Sequence, residues 1–175
     1  MKTFFLIALP GFLSVLMLSC NEHELPQKKA QNLNLILKDT LILSLEDDYF
    51  QQIYLEGLCL QTDLQDAESY SKSGLFSVCS NSVIRESTSY KLDLMAYITT
   101  ETGEITAQLI LEAIPDENSS GIFLLKTRLS QNENNIVHST DSYQDSRGNV
   151  QVSGKLMTMQ NHQAVIESHI RVTFN

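Results

Sequence analysis

Residues 90–113, YKLDLMAYITTETGEITAQLILEA, decide the fold class of this 175-residue chain. Apolar side chains occupy every second position on both sides of a short connector at residues 100–103, and most positions between them are polar. Because successive side chains of a β-strand point to opposite faces, this pattern predicts two half-buried strands. The connector is short and contains Gly103, so the two strands are expected to pair as an antiparallel hairpin.

The same alternation recurs along most of the chain after residue 32. Leucines stand at most odd positions between 33 and 45, which predicts one long strand or two strands joined near residue 38. Further strands are predicted at 75–84 and 122–129, and a second hairpin at 150–159 and 164–174. In the last of these strands Glu167, His169 and Arg171 fall on the polar parity. Eight or so antiparallel strands with one polar face each predict an all-β domain. An antiparallel β-sandwich is favoured, with a small up-and-down β-barrel as the alternative.

The region between residues 46 and 73 shows a weaker pattern. A short helix is predicted within it, since Asp47 and Asp48 are suitable capping residues and residues 62–65 (TDLQ) fit a capping box. Three aromatic residues of this region lie outside any clear strand: Tyr49, Phe50 and Tyr54. They are candidate partner-binding residues, because amphipathic aromatics are favoured at interfaces, and the alternative is that they close one end of the β-domain.

The first twenty residues have the sequence pattern of a targeting segment. Lys2 precedes an apolar stretch from residue 4 to 18, which is of signal-peptide length and shorter than a comfortable membrane helix. The stretch ends in LMLSC at residues 16–20, with Cys20 directly after a small residue, and polar residues follow at once. This ending resembles the lipobox of bacterial lipoproteins, with Met17 where Leu is most common. The resemblance implies cleavage before Cys20 and acylation of that residue. An ordinary signal peptide or an anchor helix is the alternative.

This reading divides the chain into three parts. Residues 1–19 are a lipoprotein signal peptide, residues 20–32 are the lipidated Cys and a flexible polar tether, and residues 33–175 are a single β-domain. Asn21 stands where Asp would indicate retention in the inner membrane, so the resemblance implies an outer-membrane lipoprotein, facing the periplasm or the surface. Glu22 and Glu24 are similar to an acidic surface-sorting signal, although tether acids also serve solubility.

The net charge limits the classes of partner that the chain can bind, and the cysteines indicate a candidate disulfide. The formal charge is −9, from 12 basic and 21 acidic residues, and no basic run is present, so nucleic acid is excluded as a partner. The expected membrane contact is the bilayer through acylated Cys20. In an oxidising compartment Cys59 and Cys79 can form a disulfide. Closing the loop between them would raise the free energy of unfolding by about 3 kcal/mol. Two free thiols are the alternative.

No catalytic or metal constellation is recognised. His138, His162 and His169 lack zinc-site spacing, and residues 69–72 (SYSK) match S-x-x-K without its partner motifs. Residues 116–121 begin like a calcium loop, but a Glu at the twelfth position is missing, which favours a plain turn. No cofactor is expected.

These observations predict a non-enzymatic envelope lipoprotein whose β-domain binds a protein or glycan partner or acts as an assembly subunit. The alternative is a lipocalin-like small-molecule carrier, since a closed β-barrel can hold one apolar ligand. A hydrolase with a site built from scattered acids is a third reading. Alternation along the strands is the same for a sandwich and a barrel, so the sequence leaves the first two open.

Overall fold

The computed structural model describes residues 30–42, 59–128, 134–159 and 163–175, which form nine β-strands and one 3₁₀ helix. The strands are β1 (Leu33–Ile42), β2 (Cys59–Asp66), β3 (Lys72–Glu86), β4 (Ser89–Thr100), β5 (Gly103–Pro115), β6 (Ile122–Thr127), β7 (Ile136–Ser139), β8 (Gly148–Met159) and β9 (Gln163–Phe174), and the 3₁₀ helix is Asp141–Tyr143. None of the described segments is a helix with the length and apolarity that crossing a bilayer requires.

The strands close into a barrel. Strands β1 to β6 pair antiparallel in chain order. β6 then pairs with β8, β8 with β9, and β9 with β1, which closes the ring. Eight strands thus form an up-and-down barrel, and β7 pairs with β5 beyond the end of β6. The prediction of an all-β antiparallel domain is confirmed, and the barrel alternative fits. The favoured β-sandwich is corrected, because the first and last strands pair with each other instead of ending two separate sheets.

The apolar stripes recognised in the sequence face the barrel interior. In the β4–β5 hairpin Ile98 lies opposite Ile105 and Leu92 opposite Leu111, and all four side chains are buried. Truncation of one such side chain to alanine typically costs about 2–5 kcal/mol. The largest fully buried side chains come from β1, β2, β4, β5, β8 and β9: Leu35, Leu64, Leu92, Leu94, Ile98, Ile105, Leu109, Leu156, Ile170, Val150 and Val172.

Tyr143 of the 3₁₀ helix packs against the end of the barrel at which β1 begins. Its ring stacks on Phe174 with a centroid distance of 5.5 Å. Its hydroxyl lies 2.7 Å from the Thr102 hydroxyl and 3.1 Å from that of Thr100. A tyrosine with an apolar contact for its ring and polar partners for its hydroxyl is well suited to such a position. We refer to this end as the N-terminal end of the barrel.

The side chains of Thr127 and Asn135 bind the β8 backbone beyond the point where its main-chain pairing with β6 ends. The Thr127 hydroxyl accepts a hydrogen bond from the Val152 N–H (2.6 Å) and donates one to the Val152 carbonyl (3.1 Å). The Asn135 carboxamide likewise accepts from the Val150 N–H (2.7 Å) and donates to the Val150 carbonyl (2.9 Å). Both side chains are buried. They replace the missing main-chain partners of β8, so its buried polar groups remain paired. We refer to this line as the seam.

The helix predicted within residues 46–73 needs correction in its described part. Residues 62–65, taken for a capping box, lie in β2, and Leu64 is fully buried against the core. A capping box is a local signal, whereas β2 gains pairing on both sides, with β1 and β3. Tertiary pairing therefore overrides the local preference. Residues 46–58 of the prediction lie outside the described residues.

Candidate functional site

The outward side chains of β1, β9, β8 and β6 form the candidate site, and we call this surface the basic wall. These side chains have the parity opposite to the buried ones, so they project from the barrel. Antiparallel register sets them in rungs about 4.8 Å apart from strand to strand. Written from β1 towards β6, the rungs are Asn34–Arg171–Gln151, Ile36–His169–Ser153–Lys126 and Lys38–Glu167–Lys155–Leu124.

A polar concavity of about 500 Å³ lies on the first two rungs. Its lining residues are Asn34, Lys126, Thr127, Gln151, Ser153, His169 and Arg171. Side chains of Lys126 and Arg171 form no ion pair within the described residues. The nearest register partner of Lys126 with a carboxylate is Glu112, which binds Arg128 at 3.3 Å. The concavity therefore presents cationic groups together with amide and hydroxyl donors, a set that suits an anion.

The concavity lies where main-chain pairing between β6 and β8 ends. That pairing ends at Lys126 and Ser153, and the Thr127 hydroxyl binds the Val152 backbone. Thr127 and Gln151 both line the concavity beside this point.

A second concavity of about 410 Å³ adjoins the first and shares His169 with it. Apolar groups of Ile36, Ala67, Tyr70 and Leu124 contribute to its lining. Gly154 lies at its floor, where a Cβ would overlap the main-chain carbonyl oxygen of Glu167. Only glycine permits so close an approach of two strands, and such positions mark sharp bends in barrel strands.

An ion triad crosses this second concavity. The Glu167 carboxylate binds the ammonium groups of Lys38 at 2.6 Å and of Lys155 at 3.2 Å. Hydrogen bonds from Lys38 and then from Lys155 hold the pKa of Glu167 below its ordinary value, because they favour the ionised carboxylate. Two cations share one anion, so the triad retains a net positive charge.

The turn between β2 and β3 presents Tyr70 at the rim of the second concavity. The Asp66 carboxylate accepts hydrogen bonds from the Ser69 N–H (2.8 Å), the Ser69 hydroxyl (2.9 Å) and the Glu68 N–H (3.1 Å). The same bonds, above all the one from the Ser69 backbone, lower the pKa of Asp66. Tyr70 adopts a φ of 57° and is 68% exposed. A bulky residue in the left-handed region is strained, and strain of this kind is typical of functional positions.

Several basic side chains gather along the two concavities. Of the 12 basic residues in a chain of net charge −9, four line the two concavities: Lys38, Lys126, Lys155 and Arg171. Glu167 is the one acidic residue among the lining residues of these two concavities. The basic wall is therefore a cationic surface on an acidic protein, which favours the approach of an anionic partner.

The predicted site residues lie elsewhere. Cys20, Tyr49, Phe50 and Tyr54 lie outside the described residues, so lipidation and the aromatic contact surface remain predictions. The register places Cys59 of β2 directly opposite Cys79 of β3, and Cys79 is disulfide-bonded. These cysteines are on the side of the barrel away from the basic wall.

The S-x-x-K match at residues 69–72 and the calcium-loop-like residues 116–121 have ordinary structural contacts. The Ser69 hydroxyl binds Asp66, while the Lys72 ammonium binds Asp63 at 2.8 Å. Residues 116–121 form the β5–β6 turn, with the Asp116 carboxylate accepting the Asn118 N–H at 3.0 Å. Across the part of the chain that the structure describes, no group of three His, Cys, Asp or Glu residues could hold a metal ion.

Sequence reasoning missed the basic wall as one surface, because it predicted only the polar parity of the strands at 33–45 and 164–174. His169 and Arg171 were assigned to the polar face of β9, and both are exposed there. That assignment is correct, but it does not indicate that Lys126, Gln151 and Asn34 stand beside them. These neighbours depend on the order of the strands around the barrel. Comparison of the chain with protein-family models, with curated proteins and with solved structures finds no match.

Proposed function

We propose that this protein is a non-catalytic binding module of the bacterial envelope, anchored by a lipid, which holds an anionic partner on its basic wall. The observation that carries the proposal is the convergence of Lys126, His169 and Arg171 around one concavity of a chain with net charge −9. Oriented cations beside amide donors give both attraction and specificity for carboxylate or phosphate groups. The exposed position of these groups suits binding to a large partner.

The anchor is acylated Cys20, and the outer membrane is the proposed location. Residues 21–32 would extend at most about 40 Å between the lipid and the start of β1. That strand begins at the N-terminal end of the barrel, so this end is closest to the bilayer in the proposal. Arg171 lies near the same end, three residues before the end of β9, so the concavity would face partners close to the membrane.

A Cys59–Cys79 disulfide is part of the proposal. Its support is the direct opposition of these residues in the register and the disulfide-bonded state of Cys79. Such a bridge would attach Cys59, the first residue of β2, to β3. Intact mass with and without reductant, followed by peptide mapping, identifies the partner of Cys79, and a bridge to Cys20 would contradict both assignments.

Capture from the native envelope tests the binding role. The full-length lipidated chain is isolated in detergent with its bound material, and Arg171→Glu is compared with Arg85→Glu, a matched change on β3 across the barrel. We expect wild type and Arg85→Glu to retain one stoichiometric partner that Arg171→Glu loses by at least tenfold. Equal recovery with Arg171→Glu and Arg85→Glu would overturn the basic wall as the binding surface.

A small-molecule carrier is the second candidate, favoured by the closed eight-strand ring. Such a barrel can enclose one small ligand. Small inward residues at Ala96, Ala107 and Ala164, and a buried Ser168 hydroxyl with no hydrogen-bond partner among the described residues, are consistent with that use. Binding of a fluorescent fatty acid tests this candidate. Saturation at one fatty acid per chain, loss of binding in Ala107→Phe and unchanged binding in Arg171→Glu would favour the carrier.

A further inference from the structure

The two concavities form one groove across the basic wall. They share His169, and their lining includes residues of all four strands of the basic wall, β1, β9, β8 and β6. Three strand spacings of about 4.8 Å give the groove a length of about 14 Å around the barrel. We call this continuous surface the basic groove. Its length suits an extended ligand rather than a single small ion.

The chemistry of the basic groove changes along its length. Around Arg171 it offers charged, amide and hydroxyl donors, whereas around Tyr70 and Leu124 it offers apolar surface. Leu124 is 47% exposed and Tyr70 is 68% exposed, so neither residue belongs to the packed core. A ligand that fits must carry negative charge, hydroxyl groups and flat apolar faces together.

The closed barrel disfavours an extended peptide in this groove. A peptide that binds to a sheet usually adds as a further strand, and its main-chain hydrogen bonds supply much of the affinity. β1, β8 and β9 are paired on both sides, and in the seam the side chains of Thr127 and Asn135 bind the β8 backbone beyond its pairing with β6. These strands present no free edge, so recognition in the groove must use side chains alone.

We propose that the occupant of the basic groove is an acidic glycan, a saccharide chain that carries carboxylate groups. This inference rests on the proposed function and names the class of its partner. Arg171 and Lys126 bind sugar carboxylates, and Asn34, Gln151 and Ser153 hydrogen-bond to sugar hydroxyls. The exposed ring of Tyr70 packs against the apolar face of a sugar ring, and the Asp66 turn holds that ring at the rim. Charge complementarity to the cationic side chains of the groove selects acidic over neutral saccharides.

Isothermal titration of the full-length chain in detergent tests the glycan class. The probes are a short oligogalacturonide, neutral maltohexaose and a hexaglutamate peptide. We expect the oligogalacturonide to bind at least tenfold more tightly than either of the others, with weaker binding at high salt. Equal or tighter binding of hexaglutamate, or of maltohexaose, would overturn the glycan proposal, and so would the absence of binding by all three.

Variants separate this inference from the proposed function. Tyr70→Gly removes the ring and is expected to weaken oligogalacturonide binding about tenfold, which is the loss typical of an anchoring aromatic residue. Tyr97→Gly, on β4 across the barrel and 41% exposed, is the matched control and is expected to leave binding unchanged. Equal effects of the two changes would overturn the role of Tyr70. If the envelope capture still depends on Arg171 while the oligogalacturonide fails to bind, the binding role stands and the glycan class falls.

Discussion

Two walls of one barrel, the basic wall and the wall formed by β3, β4 and β5, have similar interiors and different exteriors. On β3–β5 the Asp93 carboxylate accepts hydrogen bonds of 3.4 Å from the carboxamides of Asn81 and Gln108, so polar groups on neighbouring strands bind one another. On the basic wall Lys126 and Arg171 have no ion-pair partner among the described residues. The same alternation thus produces outward polar groups that bind one another around Asp93, and two cations of the candidate binding surface, Lys126 and Arg171, that form no ion pair among the described residues.

The largest expected effect comes from the seam beside β8. Asn135→Leu leaves the N–H and carbonyl of Val150 buried without a partner, at about 1–3 kcal/mol for each group. We expect a loss of about 4 kcal/mol in the free energy of unfolding, measured with urea. The matched Asn81→Leu change on the opposite wall, at an exposed residue, is expected to alter stability by less than about 0.5 kcal/mol. Similar losses at both positions would show that the seam has no special role.

A smaller effect of opposite sign is expected at Tyr70. Glycine adopts a φ of 57° without strain, so Tyr70→Gly should raise the free energy of unfolding by about 1 kcal/mol while weakening glycan binding. Tyr97→Gly places glycine inside β4 and should lower stability by about 1 kcal/mol. Urea titrations of both variants give the comparison. A loss of stability in Tyr70→Gly would mean that the ring contributes to folding rather than being held for a ligand.

The smallest effect concerns pH and the ion triad. Because its folded pKa is lowered from 4.5, ionised Glu167 stabilises the fold fully above that value, and the contribution is lost as pH falls through the folded pKa. The difference in unfolding free energy between wild type and Glu167→Gln should therefore shrink on acidification. Lys38→Met, which removes the closer partner, should reduce the same pH dependence. A difference that grows as pH falls would contradict the assignment.

The sequence predicted the strands well where apolar alternation was uninterrupted. Both predicted hairpins are present, as β4–β5 and β8–β9, because turn length and side-chain parity are local properties. The predicted helix failed at Leu64, where a local capping pattern lies inside a strand that pairs on both sides. Local signals of this kind carry no information on the neighbouring strands, and these decide the conformation.

The candidate site was less predictable than the fold. The parity of β9 alone assigned His169 and Arg171 to the polar face. Lys126 lies more than forty positions earlier in the chain, and Asn34 lies earlier still, so no spacing rule connects them. They meet because β6, β8, β9 and β1 are neighbours in the ring, which is a property of strand order.

By itself the sequence determined that the chain is all-β, which residues face the core in the strands that alternate clearly, and where the main hairpins turn. These features follow from the two-residue period of a strand and from short connectors, and both can be recognised locally. Only the tertiary structure decided that the strands close into a barrel and that four of them combine unmatched cations into one groove. Closure depends on pairing between Leu33 and Val172, at opposite ends of the domain. Contacts between strands distant in sequence leave no periodic pattern in the chain, so only the folded structure displays them.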